Sequence, residues 1–189
     1  PAILEWYTQK FGPKPSLLVL NSPKIRRSDG PSSTGEGTLR SELGLNKETP
    51  LFVYVGILGF GRGIESILKS FTEGTTDVHI AFVGWGDLEE EILRASYTRP
   101  NVHLHKPVPH DALVDFIKDA DGAFCLIEDV SLSDHYCLPN KLFEYAFAGL
   151  PVVASRLPEI SRVVEDYDLG VLTDADPGFD AHNQTSSKA

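Results

Sequence analysis

Methionine is missing from all 189 residues, position 1 included, so a chain starting Pro-Ala-Ile-Leu is expected to be an excised piece of something longer. Long apolar runs are missing too: nothing approaches the roughly 18 consecutive apolar residues a membrane-crossing helix needs. Cysteine is scarce. Cys125 and Cys137 are the only two and show no metal-type spacing, so reduced thiols of a cytoplasmic protein are expected. Cations are scarce where a nucleic-acid partner would want them. Residues 51–189 carry ten Lys/Arg against 22 Asp/Glu (net −12), while residues 1–50 carry seven against five (net +2). Phosphate backbones need clustered cations, and the short group Lys24, Arg26, Arg27 reads as a solvated loop, so nucleic acid is excluded. What remains, 41% hydrophobic and 23% charged, is enough to build one full core.

From residue 50 onward, apolar runs alternate with amphipathic ones. Strands are predicted over 51–55, 78–83, 102–105, 122–127, 151–154 and 170–172. Helices are predicted over 63–72, 87–95, 110–118, 139–148 and 159–165, with a short one at 39–44. Runs such as L-F-V-Y-V are continuous rather than alternating, as in parallel strands covered on both faces. Six such strands with five helices on short connections predict an α/β fold, a doubly wound parallel sheet with right-handed crossovers. Ahead of it lie the end of a helix at 2–10, a short strand at 17–20 and a Gly/Ser/Pro-rich loop at 28–38. The stretch 176–189 is polar and is expected to fray. No internal repeat is present.

The densest stretch is C-L-P-N-K-L-F-E-Y-A-F-A-G-L-P-V-V-A-S, residues 137–155. Pro139 suits a helix's first turn, where its missing N–H has no helical partner. Glu144 is then an acid within an otherwise apolar helix, and Gly149 supplies the left-handed cap before the next strand. An acid near a helix start feeding a buried strand points to the ligand crevice of an open α/β sheet. A second feature is G-I-L-G-F-G-R-G, 56–63, between the first strand and its helix. Glycines such as Gly59 and Gly61 let backbone N–H groups approach a phosphate, and Arg62 adds a cation of suitable fork geometry. The spacing fits neither the dinucleotide fingerprint nor the P-loop. Gly84-Trp85-Gly86 and Lys106-Pro-Val108-Pro follow the second and third strands and border the same crevice. His103 and His105 share a strand face, yet no third metal ligand is evident. Glu128, Asp129 and Asp134 are acids of the loop before Cys137.

Taken together, the order of these motifs resembles the glycosyl transferases group 1, retaining enzymes of the GT-B fold, in their C-terminal donor-binding half. The resemblance spans residues 21–173 and rests on N-S-P, V-G-I-L-G-F-G-R-G-I-E-S-I-L, F-V-G-W-G-D-L-E, N-V-H-L-H-K-P-V-P, A-D-G-A-F-C-L-I, the 137–155 stretch and L-P-E-I-S-R-V-V. It implies transfer of a sugar, of hexosyl type, from a nucleotide-sugar to an acceptor hydroxyl with retention of configuration, in polysaccharide or glycoconjugate assembly. Arg62 would oppose the charge of the departing diphosphate, and Glu144 would hold the ribose hydroxyls. Backbone at Lys106 to Val108 would hold the base, with Gly84, Trp85 and Gly86 edging its pocket. Leu138, Pro139, Asn140 and Lys141 would border the donor at the helix start. No cofactor or metal is expected, since fixed cations can serve alone.

Two positions depart from the family pattern. Tyr136 stands where many members carry a first glutamate at the sugar, leaving Asn140 and Lys141 as candidate substitutes. Ile57 stands where many carry a further diphosphate-binding arginine, so Arg62 is expected to act alone. The resemblance divides the chain into 1–20, the tail of an N-terminal domain; 21–176, the donor-binding domain; and 177–189, a polar tail. Catalysis would need the N-terminal domain as partner, so this chain is expected to bind a nucleotide or nucleotide-sugar without turnover. Any membrane association would belong to the whole protein. Two other readings stay open: a catalytically silent binding or scaffolding domain, and part of a nucleotide-sugar epimerase.

Overall fold

A computed structural model of the chain describes residues 2–17, 19, 37–73 and 77–174. Its elements are α1 (Ala2–Phe11), α2 (Leu39–Glu42), β1 (Leu51–Ile57), α3 (Ile64–Glu73), β2 (His79–Trp85), α4 (Glu89–Thr98) and β3 (Val102–His105). There follow α5 (Leu113–Ile117), β4 (Gly122–Cys125), α6 (Leu132–His135), α7 (Asn140–Phe147), β5 (Val152–Ser155), α8 (Pro158–Asp166) and β6 (Gly170–Thr173). The six strands form one sheet in the order β3-β2-β1-β4-β5-β6, and every pairing is parallel. This is the doubly wound sheet that the continuous apolar runs imply.

Burial follows the alternation of side chains along the strands. Leu51, Val53 and Val55 of β1 and Ala81 and Val83 of β2 face one layer, with Leu113, Phe116, Leu142, Tyr145, Ile160 and Val164 of α5, α7 and α8. Tyr54, Ile80 and Phe82 face the other, with Ile64, Ile67 and Leu68 of α3 and Ile92 of α4. Covering both faces is what makes a strand apolar at every position.

Several boundaries differ from expectation. Strands β1 and β2 run two residues further, to Ile57 and Trp85, paired in register throughout. Strand β4 stops at Cys125 rather than 127, because Ile127 N–H turns to Ser155 Oγ (2.8 Å) and Glu128 N–H to Gly61 O (3.1 Å). The helix α6 was not anticipated; Ser131 caps it by accepting from Asp134 N–H at 3.1 Å. Gly149 does cap α7, at φ +75°, a conformation costly for any residue with a Cβ. Residues 17 and 19 form no strand. Most of the 28–38 loop, the whole 176–189 tail, the Lys24, Arg26, Arg27 cluster and both domain boundaries lie outside the described residues.

The sheet parts between β1 and β4, where strand order reverses, and here paired register covers only Phe52–Gly122 and Val53–Ala123. Tyr145 fills the widening gap. Its hydroxyl accepts from Val55 N–H at 2.8 Å and donates to Phe124 O at 3.2 Å. One phenol therefore satisfies two backbone groups that the diverging strands leave unpaired. Helix α7 is thereby anchored over the crevice that such a reversal creates.

Candidate functional site

At the carboxyl end of β1, the turn at 56–63 lies against the end of β2. A Cβ on Gly84 would sit 1.9 Å from Gly56 O, so only glycine allows this approach. Leu58 N–H donates to Trp85 O (2.8 Å) and Leu88 N–H to Leu58 O (2.9 Å), tying the two turns together. Packing between turns thus explains why Gly84 is glycine, without reference to a ligand. Trp85 and Phe60 are exposed on the rim.

Two cations converge on this turn. The Arg62 side chain is 38% exposed, and its nearest carboxylate, Asp134 Oδ1, is 3.8 Å away, too far for a close hydrogen-bonded pair. Lys141, in the first turn of α7, lays its ammonium over the Tyr54 ring, 3.9 Å from the centroid. The same nitrogen lies 3.7 Å from where a Gly56 Cβ would be. Among the described residues it makes neither a hydrogen bond nor an ion pair. Burial brings its pKa down to about 8, with Arg62 contributing and the nearby thiols and Glu144 opposing. The ammonium of Lys141 thus reaches Gly56, which gives this turn a second cation beside Arg62. Tyr54 is held beneath by its own hydroxyl, which donates to Ile57 O at 3.0 Å, and burial raises its pKa.

One turn further along α7, Glu144 is 5% exposed. Its Oε1 lies 3.1 Å from Nδ1 of His110, which stands largely in solvent at the start of the α5 segment. Burial raises the carboxyl's pKa, and His110 and Lys141 oppose that rise. A buried acid with one imidazole partner retains acceptor capacity for hydroxyl groups. Lys106 is exposed, and its carbonyl accepts from His105 Nδ1 at 2.6 Å. Val108 and Leu138 are half-buried and pack on the core that includes α7. Pro139 precedes α7 in extended conformation, and Asn140 opens the helix.

Other candidates are engaged elsewhere. His103 Nε2 meets His79 Nδ1 at 2.8 Å with stacked rings, and burial lowers the His103 pKa to about 4. His105 Nε2 meets Glu42 Oε2 at 2.8 Å. Among the described residues, no three His, Cys, Asp or Glu are grouped as a metal site requires. Burial pushes the thiols up, Cys125 to about 12 and Cys137 to about 11, so neither is poised as a nucleophile. Sequence reasoning passed over His110, whose partner is 34 positions away, and Tyr54, which looked like one apolar residue among five.

An open parallel α/β half, with cations and a buried acid gathered where its strand order reverses, belongs to the Rossmann-like domains of GT-B glycosyltransferases. The family model of glycosyl transferases group 1 matches residues 49–182, and the chain belongs to that family. WaaG, a glycosyltransferase involved in lipopolysaccharide biosynthesis, is similar at 18% identity and TM-score 0.56, over 74% of this chain and 37% of its own. HepE of Anabaena in complex with UDP is similar at 17% identity and TM-score 0.57, over 74% of this chain and 38% of its own. A variant of S. aureus TarM, in complex with fondaparinux, α-GlcNAc-glycerol and UDP, is similar at 16% identity and TM-score 0.64. That match covers 93% of this chain and 33% of TarM. The chain thus spans about a third of the length of these three structures. No curated protein sequence matches it. Among the described residues, no helix is long and apolar enough to cross a membrane.

Proposed function

We propose that the chain is the donor-binding, C-terminal half of a retaining glycosyltransferase that moves a hexosyl group from a nucleotide-sugar to an acceptor hydroxyl. The observation that carries this is the Lys141 ammonium, held within the field of Arg62 at the strand-order reversal and, among the described residues, paired with no carboxylate. Two cations on one turn repel each other, and a dianion between them relieves that repulsion. The diphosphate of a nucleotide-sugar supplies such a dianion. HepE in complex with UDP-glucose and the TarM variant in complex with UDP support this choice of ligand.

In this reading Glu144 accepts hydrogen bonds from the ribose hydroxyls, and the backbone at 106–108 meets the base. The anomeric carbon–oxygen bond to the diphosphate breaks as the acceptor oxygen forms its bond on the same face. The acceptor proton leaves with the diphosphate. Charge grows on the phosphate oxygens during that step, and fixed cations at Arg62 and Lys141 stabilise it more than the ground state. No metal is assigned a part. The acceptor and the remaining groups belong to an N-terminal domain, so the chain alone binds without turnover. The pathway we assign is polysaccharide or glycoconjugate assembly in the cytoplasm, and WaaG's part in lipopolysaccharide biosynthesis agrees with that assignment.

A thermal-denaturation panel with UDP, GDP, ADP and dTDP tests the reading. A nucleotide at a hundred times its Kd stabilises by about 2.7 kcal/mol. One nucleotide should raise the melting temperature, and Arg62→Ala and Glu144→Ala should each remove most of that rise. Stabilisation by none of the four, or by one equally in both variants, defeats it.

A further inference from the structure

Beside the crevice stands a side-chain pair that binding at Arg62, Lys141 and Glu144 does not use. Residues 128–136, which follow β4, form a wall of the glycine-rich turn. Glu128 N–H donates to Gly61 O at 3.1 Å, Val130 lies 3.7 Å from where a Gly61 Cβ would be, and Asp134 faces Arg62 at 3.8 Å. Within that wall Asp129 Oδ2 accepts from His135 Nδ1 at 2.8 Å. The two side chains are only 15% and 22% exposed. Among the described residues, Asp129 Oδ1 is buried with no hydrogen-bond partner.

A buried carboxylate with an unpaired oxygen is a costly way to staple a short loop, because its desolvation is poorly offset. Its one bond does fix the imidazole. With the proton on Nδ1 facing Asp129, Nε2 presents a lone pair. The ring edge is set further by Tyr136, whose ring stands perpendicular to it at 4.7 Å.

Position along the crevice says what that lone pair would meet. Glu144 meets His110, Lys141 stands one turn before it on α7 within the field of Arg62, and Arg62 in turn faces Asp134 of the 129–136 wall. A nucleotide-sugar is linear in the same order: nucleoside, diphosphate, sugar. Placing the ribose at Glu144 and the diphosphate at the cations brings the sugar against the 129–136 wall. Tyr136 there has no carboxylate to accept a sugar hydroxyl.

We propose that His135, oriented by Asp129, accepts a hydrogen bond from a hydroxyl of the donor's hexose through Nε2. His135 is then a sugar-contacting residue and Asp129 its positioning residue. This rests on the donor-binding reading above, and the experiment separates the two. The chain is titrated calorimetrically with UDP, GDP, ADP and dTDP, and with UDP-glucose, GDP-mannose, ADP-glucose and dTDP-glucose. His135→Ala should weaken the sugar ester about tenfold, the worth of one ordinary hydrogen bond, and leave the bare nucleotide within about twofold. His135→Gln, whose amide oxygen can accept the same bond, should recover part of the loss. Asp129→Asn should move the ester alone, in the same direction as the alanine. Equal weakening of ester and bare nucleotide would make the pair a loop staple, and unchanged affinity for both would remove it from the site. Either result overturns the inference while the donor reading stands. Failure of wild type to bind any of the eight ligands overturns both.

Discussion

Arg40 and Lys141 are both cations withdrawn from water, at opposite ends of the same sheet, and they are treated in opposite ways. Arg40, below the amino end of β1, is 6% exposed and has committed four of its five donors. Its guanidinium reaches Asp119 O (3.0 Å), Asn46 O (2.7 Å), Thr49 O (2.6 Å) and Asp121 Oδ2 (2.7 Å). Asp121 Oδ2 in turn accepts from Leu51 N–H at 2.7 Å, so this network starts the first strand of the sheet. Lys141, at the carboxyl end, lies over the face of Tyr54 and, among the described residues, makes no hydrogen bond or ion pair. A charge whose donors are so committed is part of the scaffold. A charge whose donors are unspent is held ready for something else, and in an open parallel sheet that something binds at the carboxyl end.

The contrast breaks most visibly at Arg40. Replacing Arg40 with Met leaves three carbonyls short of a donor and Asp121 short of its cation, at a cost of roughly 3 kcal/mol. Chemical denaturation should show that loss, while the folded fraction binds nucleotide as wild type does. An Arg40→Met protein of undiminished stability, or one folded but unable to bind, would erase the distinction between the two ends.

Lys141→Met is the reciprocal experiment. The variant removes a charge that burial disfavours and keeps most of the packing on Tyr54, so stability should hold or rise by up to about 1 kcal/mol. Nucleotide affinity should fall about tenfold or more, the value of a charge-assisted bond to phosphate. Calorimetric titration with the nucleotide that stabilises wild type measures this directly. A destabilised variant that binds normally would place Lys141 with Arg40 in the scaffold.

These two cations also show what the sequence could and could not disclose. The strands were legible because parallel strands buried on both faces spell continuous runs, as in L-F-V-Y-V and H-I-A-F-V-G-W. The 137–155 stretch was legible because Pro139, the apolar face of α7 and Gly149 agree locally. Lys141 was a candidate from its place at the helix start, but its lack of a partner depends on everything packed around it. Arg40 lay in a short helix of no special pattern, and its ties to Asp119 and Asp121 lie 79 and 81 positions away. The His110–Glu144 pair and the end of β4 at Cys125, beyond which Ile127 turns to Ser155, were hidden for the same reason. Local periodicity records which face is buried, whereas tertiary bonds decide which charges are satisfied.

The smallest expected effect is on pH, and it has two opposite signs. In the folded chain burial brings the Lys141 pKa to about 8, below its ordinary 10.5. Between those values the unfolded chain holds more protons than the folded one, so stability of the unliganded protein rises with pH across that window. Nucleotide binding runs the other way, because the diphosphate needs the ammonium. Affinity should be greatest below pH 8 and decline as pH passes through it. The phosphate's own last ionisation, near pH 6, is complete well before that window. Titrations between pH 7 and 9.5 on wild type and Lys141→Met should therefore give a falling curve and a flat one. Two parallel falling curves would trace the decline to another group and leave Lys141 without the role its unspent donors imply.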